Sequence, residues 1–281
     1  MSRHGFTLIE LSIVLVVIGL IIGGVLVGQD LIRAAEVRAT ISQIEKYNTA
    51  VNTFRGKYNA LPGDLNAQVA SQFGFTTRGT YEGQGDGNWL IEGVRNNAPA
   101  NNGGRYETAG ETVMFWVDLT TANGLNLNLI DGSFSIASPT TRAGANVTGT
   151  VLDALFPAAK LGHGNYIYVY NGTDTNNYYG LSRITQILAG SNVVSAAGIT
   201  ARQAYDIDKK LDDGLPQTGN VTAMYVLSSG NTLIGASDTS ATAGDTTTCY
   251  DNGNASGATQ QYSLEINGGA GVNCVLSFKF Q

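Results

Sequence analysis

The sequence predicts an α+β fold: a long N-terminal α-helix, one half membrane-spanning and the other amphipathic, packed on an antiparallel β-sheet domain with long loops. Three observations predict it. An apolar run from Phe6 to Gly28 passes without proline into a helical apolar stripe that reaches Tyr58. Glycine is abundant at 36 residues and charge is low at 14 %, a composition that suits strands and loops better than a helical enzyme. Short β-branched and aromatic runs then alternate with segments rich in Asn, Gly and Thr.

The apolar run contains 23 residues, about 34 Å of helix, which is enough to cross a bilayer core. A secretory signal peptide would have a shorter apolar region followed by a small-residue cleavage site. Val25-Leu26-Val27-Gly28-Gln29 offers none. One carboxylate, Glu10, sits near the start of the run. A charge at the centre of a membrane helix costs about 2.5–3.5 kcal/mol on insertion scales, so this one calls for a partner.

Beyond Gly28, Val37, Ile41, Ile44, Tyr47, Val51, Phe54 and Tyr58 recur at spacings of three and four, one stripe of an amphipathic helix. Charged and polar residues fill the other faces. Ala60-Leu61-Pro62-Gly63-Asp64 then supplies turn chemistry. The helix is therefore predicted to run unbroken from Phe6 to about Tyr58, with its second half against a globular domain.

Gly5-Phe6-Thr7-Leu8-Ile9-Glu10-Leu11 resembles the processing motif of type IV pilins and type II secretion pseudopilins. The resemblance implies a leader at residues 1–5, cleaved between Gly5 and Phe6 by a prepilin peptidase, with N-methylation of Phe6. It implies a membrane and polymerisation segment at 6–28, an amphipathic half at 29–58 and a globular domain at 59–281. It also implies a partner for Glu10, the new α-amine on Phe6 of a neighbouring subunit. Opposite charges attract strongly in a low-dielectric helix bundle. The implied partners are copies of this chain or related pilins, the peptidase, the membrane and an inner-membrane pilus or secretion machinery. The implied location is the bacterial inner membrane, then an extracellular pilus or a periplasmic pseudopilus. Two features depart from the common pattern. The apolar helix lacks a proline in its later part, where Gly19, Gly23, Gly24 and Gly28 either loosen it or allow close helix packing. The chain is also longer than common major subunits.

About 220 residues remain for the domain. Glu111 to Asn123 has helical character with Gly124 as a stop; Tyr166–Tyr170, Ala223–Leu227, Thr232–Gly235, Tyr262–Ile266 and Val275–Phe280 read as strands. Loops are predicted at 95–105, 141–150, 171–177 and 237–259. Cys249 and Cys274 are the only cysteines, and outside the cytoplasm they are expected to pair.

Thr200-Ala201-Arg202-Gln203 is a capping box, and Gly214 with Pro216 a helix stop. Between them lie Asp206, Asp208, Asp212 and Asp213. This cluster has two readings: a calcium site, if carbonyls or amides complete six to eight oxygens, or solvated acids whose hydrogen bonds fix the turn. Gly85-Asp86-Gly87-Asn88 is a weaker case of the same kind, read as a turn.

No catalytic constellation is visible. His4 and His163 are the only histidines, which argues against a Cys/His zinc site, and there is no nucleophile motif, P-loop or dinucleotide fingerprint. A formal charge of −6 gives no general pull on nucleic acid. Together with these absences, the resemblance to type IV pilins implies a non-enzymatic structural subunit of a pilus-like filament. The alternative is a low-copy minor pilin or pseudopilin whose large domain binds a ligand.

Overall fold

The computed structural model describes residues 7–94, 109–120, 128–135, 137–141, 145–172, 174–189, 193–223, 244, 246–253, 255 and 257–280. Gly5 and Phe6, the predicted strand at Thr232–Gly235 and most of that at Ala223–Leu227 lie outside these residues, as does the predicted end of the helix at Asn123.

α1 (Leu8–Tyr58) is a single helix of 51 residues, about 76 Å long. Thr7 and Glu10 form a reciprocal capping box at its start, and Asn59 closes it in the left-handed conformation. From Leu8 to Val27 every side chain is exposed. The helix is long and apolar enough to cross a membrane, and none of its most apolar stretch is buried against the domain. The second half behaves as its stripe predicts: Val37, Ile44, Tyr47, Val51, Phe54 and Tyr58 are buried, and Ile41 packs at the margin of the core.

Among the described residues three further α-helices follow: α2 (Ala67–Phe73), α3 (Glu111–Thr120) and α4 (Ala201–Leu211). The main sheet is antiparallel and contains β1 (Asn165–Asn171), β2 (Asn177–Ile187), β3 (Val193–Ala196), β5 (Val221–Thr222) and β9 (Leu276–Lys279). Two small two-stranded pairs also occur among the described residues: β4 (Ile199–Thr200) with β8 (Val272–Cys274), and β6 (Tyr250–Asp251) with β7 (Gln261–Tyr262).

β2 is the organising strand. One edge pairs with β1 from Asn177 to Arg183. The other is shared end to end, by β9 at Tyr178–Leu181 and by β3 from Arg183 to Ile187. Val169, Tyr179 and Phe278 stand in register across three strands. Tyr179 faces the helices, its ring 6.1 Å from that of Tyr47 and 6.4 Å from that of Trp116. Trp116 and Tyr47 meet edge to face at 5.1 Å, a favoured aromatic geometry. The sheet, α3 and the upper half of α1 thus share one aromatic core. On the opposite face Tyr168 lies across Gly180, where a Cβ would come within 2.2 Å of the tyrosine ring; glycine is the residue that allows the ring to pack there.

Two sequence expectations are corrected. Tyr262–Ile266 is not a five-residue strand, because pairing stops at Tyr262. The Ser263 hydroxyl is drawn to Asp251, and Leu264 N–H donates to Tyr262 O at 2.8 Å, which turns the chain. The other is the loop predicted at 171–177, whose ends Asn171 and Asn177 pair with each other in β1 and β2; β2 then runs 11 residues through a stretch for which no element was predicted.

Candidate functional site

The start of α1 is built around Glu10. Its carboxylate accepts from Thr7 N–H at 2.8 Å and from the Thr7 hydroxyl at 2.7 Å, while Glu10 N–H donates to that hydroxyl at 3.3 Å. The helix N-terminus is a positive dipole end that favours an acid in the first turn. Within the chain, then, Glu10 already has a local partner. Thr-x-x-Glu before an apolar run is the capping-box signature, so the signal for this contact was present in the sequence.

Cys249 and Cys274 form a disulfide with Cα atoms 5.0 Å apart. Both are fully buried. Cys274 ends β8, one residue before β9 of the main sheet, so the bridge ties the β6–β7 excursion to the core.

Of the four acids grouped by the sequence, Asp208, Asp212 and Asp213 bring carboxylate oxygens within 4.8 Å of one another. Asp206 is not among them; it pairs with Arg202 at 3.2 Å on the outer face of α4. Asp208 is buried, accepting from Gly214 N–H at 3.0 Å and from the Tyr262 hydroxyl at 2.8 Å. Asp212 accepts from the N–H groups of Asn220 and Val221. Asp213 accepts from Leu215 N–H at 2.8 Å and the Thr218 hydroxyl at 2.5 Å. These bonds satisfy the chain leaving α4 and latch it to β7. The three carboxylates offer only oxygen ligands, the type that suits a hard cation such as calcium.

A second acidic group joins Asp86, which the sequence placed in a turn, to Asp64 and Glu111, which it did not single out. Asp64, Asp86 and Glu111 also place oxygens within 4.8 Å of one another. Glu111, at the start of α3, is 1 % exposed. It accepts from Gly85 N–H at 2.9 Å and Glu92 N–H at 2.8 Å. Asp64, in the turn after α1, accepts from the N–H groups of Gly87 and Trp89, each at 2.7 Å. Asp86 is held by Asn88. The three acids thus knit together the turn after α1, the 85–92 loop and the start of α3. Nearby, the buried Arg78 guanidinium grips both oxygens of the equally buried Asp118 at 2.5 and 2.6 Å, and Asp118 also accepts from Gly63 N–H at 2.6 Å.

Burial pushes Asp64 up to about 7, more than its hydrogen bonds to Trp89 and Gly87 N–H pull it down. Burial and the neighbouring Asp64 push Glu111 well up, and burial pushes Asp208 up to about 6. A carboxyl raised in the folded state contributes stability that is complete below its unfolded value, near 4, and is lost as pH rises through the folded value. Thermal unfolding is therefore expected to shift upward on acidification between about 7 and 4, by about 2–4 °C for each kcal/mol of linkage. A midpoint that falls steadily over this range would contradict the burial of these acids.

Residues 1–26 match the family model described as the prokaryotic N-terminal methylation motif, the prepilin signal of type IV pilins and pseudopilins. Neither a curated protein nor a solved structure matches the chain.

Proposed function

We propose that the chain is a structural subunit of a type IV pilus-like filament. It is cut between Gly5 and Phe6 by a prepilin peptidase, methylated at Phe6, stored in the bacterial inner membrane through residues 6–28 and polymerised through its N-terminal helix. The observation that carries this is the methylation motif at residues 1–26 on a helix whose apolar half is exposed in the isolated subunit. Such a surface calls for lipid before assembly and neighbouring helices after it. The role is structural rather than enzymatic.

On assembly, Glu10 exchanges its contact with Thr7 for the methylated amine of an adjacent subunit and so sets the axial register. The partners are copies of this chain or related pilins and the inner-membrane assembly machinery. The final location is an extracellular pilus or a periplasmic pseudopilus.

Purified filaments test this directly. Their main polypeptide is expected to begin with N-methylated Phe6 by mass spectrometry. In a strain carrying Gly5→Arg the leader is expected to stay attached and filaments to be lost. Assembled protein that still begins at Met1 would refute the processing step. Filaments containing the chain only in trace amounts would favour a minor, ligand-binding subunit instead.

A further inference from the structure

Immediately after the apolar half of α1, Gln29, Asp30, Ile32 and Arg33 form one wall of two adjoining cavities of ≈ 500 and ≈ 440 Å³. The domain supplies the opposite wall, from Arg183 on β2, from α4 and from the turn at Ala270 before β8. This rim is the part of the domain that faces α1 just past its apolar half. Arg33 lies five residues past Gly28, about 7.5 Å along the helix. That is close to the thickness of one headgroup layer, about 5–8 Å.

The charges on the rim are unbalanced. Asp30 sits 3.6 Å from Arg33, and Asp206 3.2 Å from Arg202. Arg183 and Lys210 are exposed and form no ion pair among the described residues. Glu36 is the one remaining acid among the cavity-lining residues. A chain of formal charge −6 thus carries, beside the apolar half of its helix, four cations (Arg33, Arg183, Arg202, Lys210) against three acids (Asp30, Glu36, Asp206). Beside these cations, Ile32 and Val272 are 61 % and 55 % exposed. Cations interspersed with apolar side chains are the chemistry that binds an anionic membrane interface.

We propose that this rim, with Arg183 and Lys210 as its cations, docks on anionic lipid headgroups while the subunit is stored in the membrane. This rests on the membrane-storage step proposed above. Docking would hold the domain against the bilayer and keep the helix in one orientation before extraction into a filament.

The test uses the full-length chain in nanodiscs of phosphatidylcholine alone or with phosphatidylglycerol, with amide hydrogen exchange followed at 198–210 and 270–273. Exchange is expected to be slower in the anionic discs. That protection should drop about fivefold for each of Arg183→Gln and Lys210→Gln and collapse at high salt. Equal exchange in both discs, with the chain inserted in both, overturns the docking proposal and leaves membrane storage intact. A chain that enters neither disc overturns storage itself, and docking with it. Slowing reproduced by inorganic phosphate in phosphatidylcholine discs overturns lipid as the occupant and assigns the rim to a soluble anion.

Discussion

Glu10→Ala is expected to be processed and inserted normally yet to yield few or no filaments, as counted by electron microscopy of sheared material. Two effects of the substitution must be separated. Loss of the capping box weakens the helix start by about 1 kcal/mol, a local cost. Loss of the charge removes an attraction that is far stronger in a low-dielectric helix bundle than in water. Glu10→Gln separates the two, because glutamine can fill the same capping position and carries no charge. Thr7→Ala is the complement, removing the cap and keeping the charge. If charge pairing sets the register, Glu10→Gln fails as badly as Glu10→Ala, and Thr7→Ala still assembles. Normal filaments from Glu10→Gln would reduce Glu10 to a helix cap.

Arg78→Met is expected to cost about 3–5 kcal/mol, because it leaves the buried Asp118 charge without its partner. Typical domains have only about 5–15 kcal/mol in total, so the variant should lose much of its thermal stability. The arrangement explains the severity. Asp118 reaches from α3 to Gly63 N–H and Arg78 at once, so one missing guanidinium loosens the turn after α1 and the segment around Arg78 together. Burial already pushes the Asp118 carboxyl up against the opposing pull of Arg78. Without Arg78 that carboxyl protonates more readily, so the deficit should shrink in acid. The double variant Arg78→Met/Asp118→Leu should recover much of the loss, since a buried pair replaced by apolar groups is often neutral or better. A single variant as stable as the parent in calorimetry would show that water reaches Asp118.

What was legible in the sequence follows the range of the interactions involved. α1 could be read because its apolar spacing and the turn at Leu61–Asp64 are local signals. The capping box at Thr200 and Gln203 forms as its four residues imply, and β1 follows from Tyr166–Tyr170. β2 escaped because it fits neither strand pattern: it carries Gly180 and, in its second half, Ser182, Arg183, Thr185 and Gln186 among apolar residues. Its place comes from pairing on both edges. The buried acids were hidden for the same reason. Asp64 meets Gly87 and Trp89, 23 and 25 positions away, and Asp118 meets Arg78, 40 positions away. A carboxylate in a turn and another at a helix start look solvated until the chain folds one against the other. Asp206 shows the converse. Adjacency in sequence grouped it with Asp208, but two residues along a helix point in nearly opposite directions.

The absence of any break in α1 makes the chain a rigid screw. The apolar end carrying Glu10 and the domain end carrying Tyr47 belong to one rod, so height and azimuth are coupled. One residue inserted between Gly28 and Val37 would raise the domain by about 1.5 Å and swing it by about 100° around the axis. A whole turn of nearly four residues would restore its bearing about 5 to 6 Å higher. The surface that the domain turns outward is therefore set by residue count along the helix as much as by any contact the domain makes.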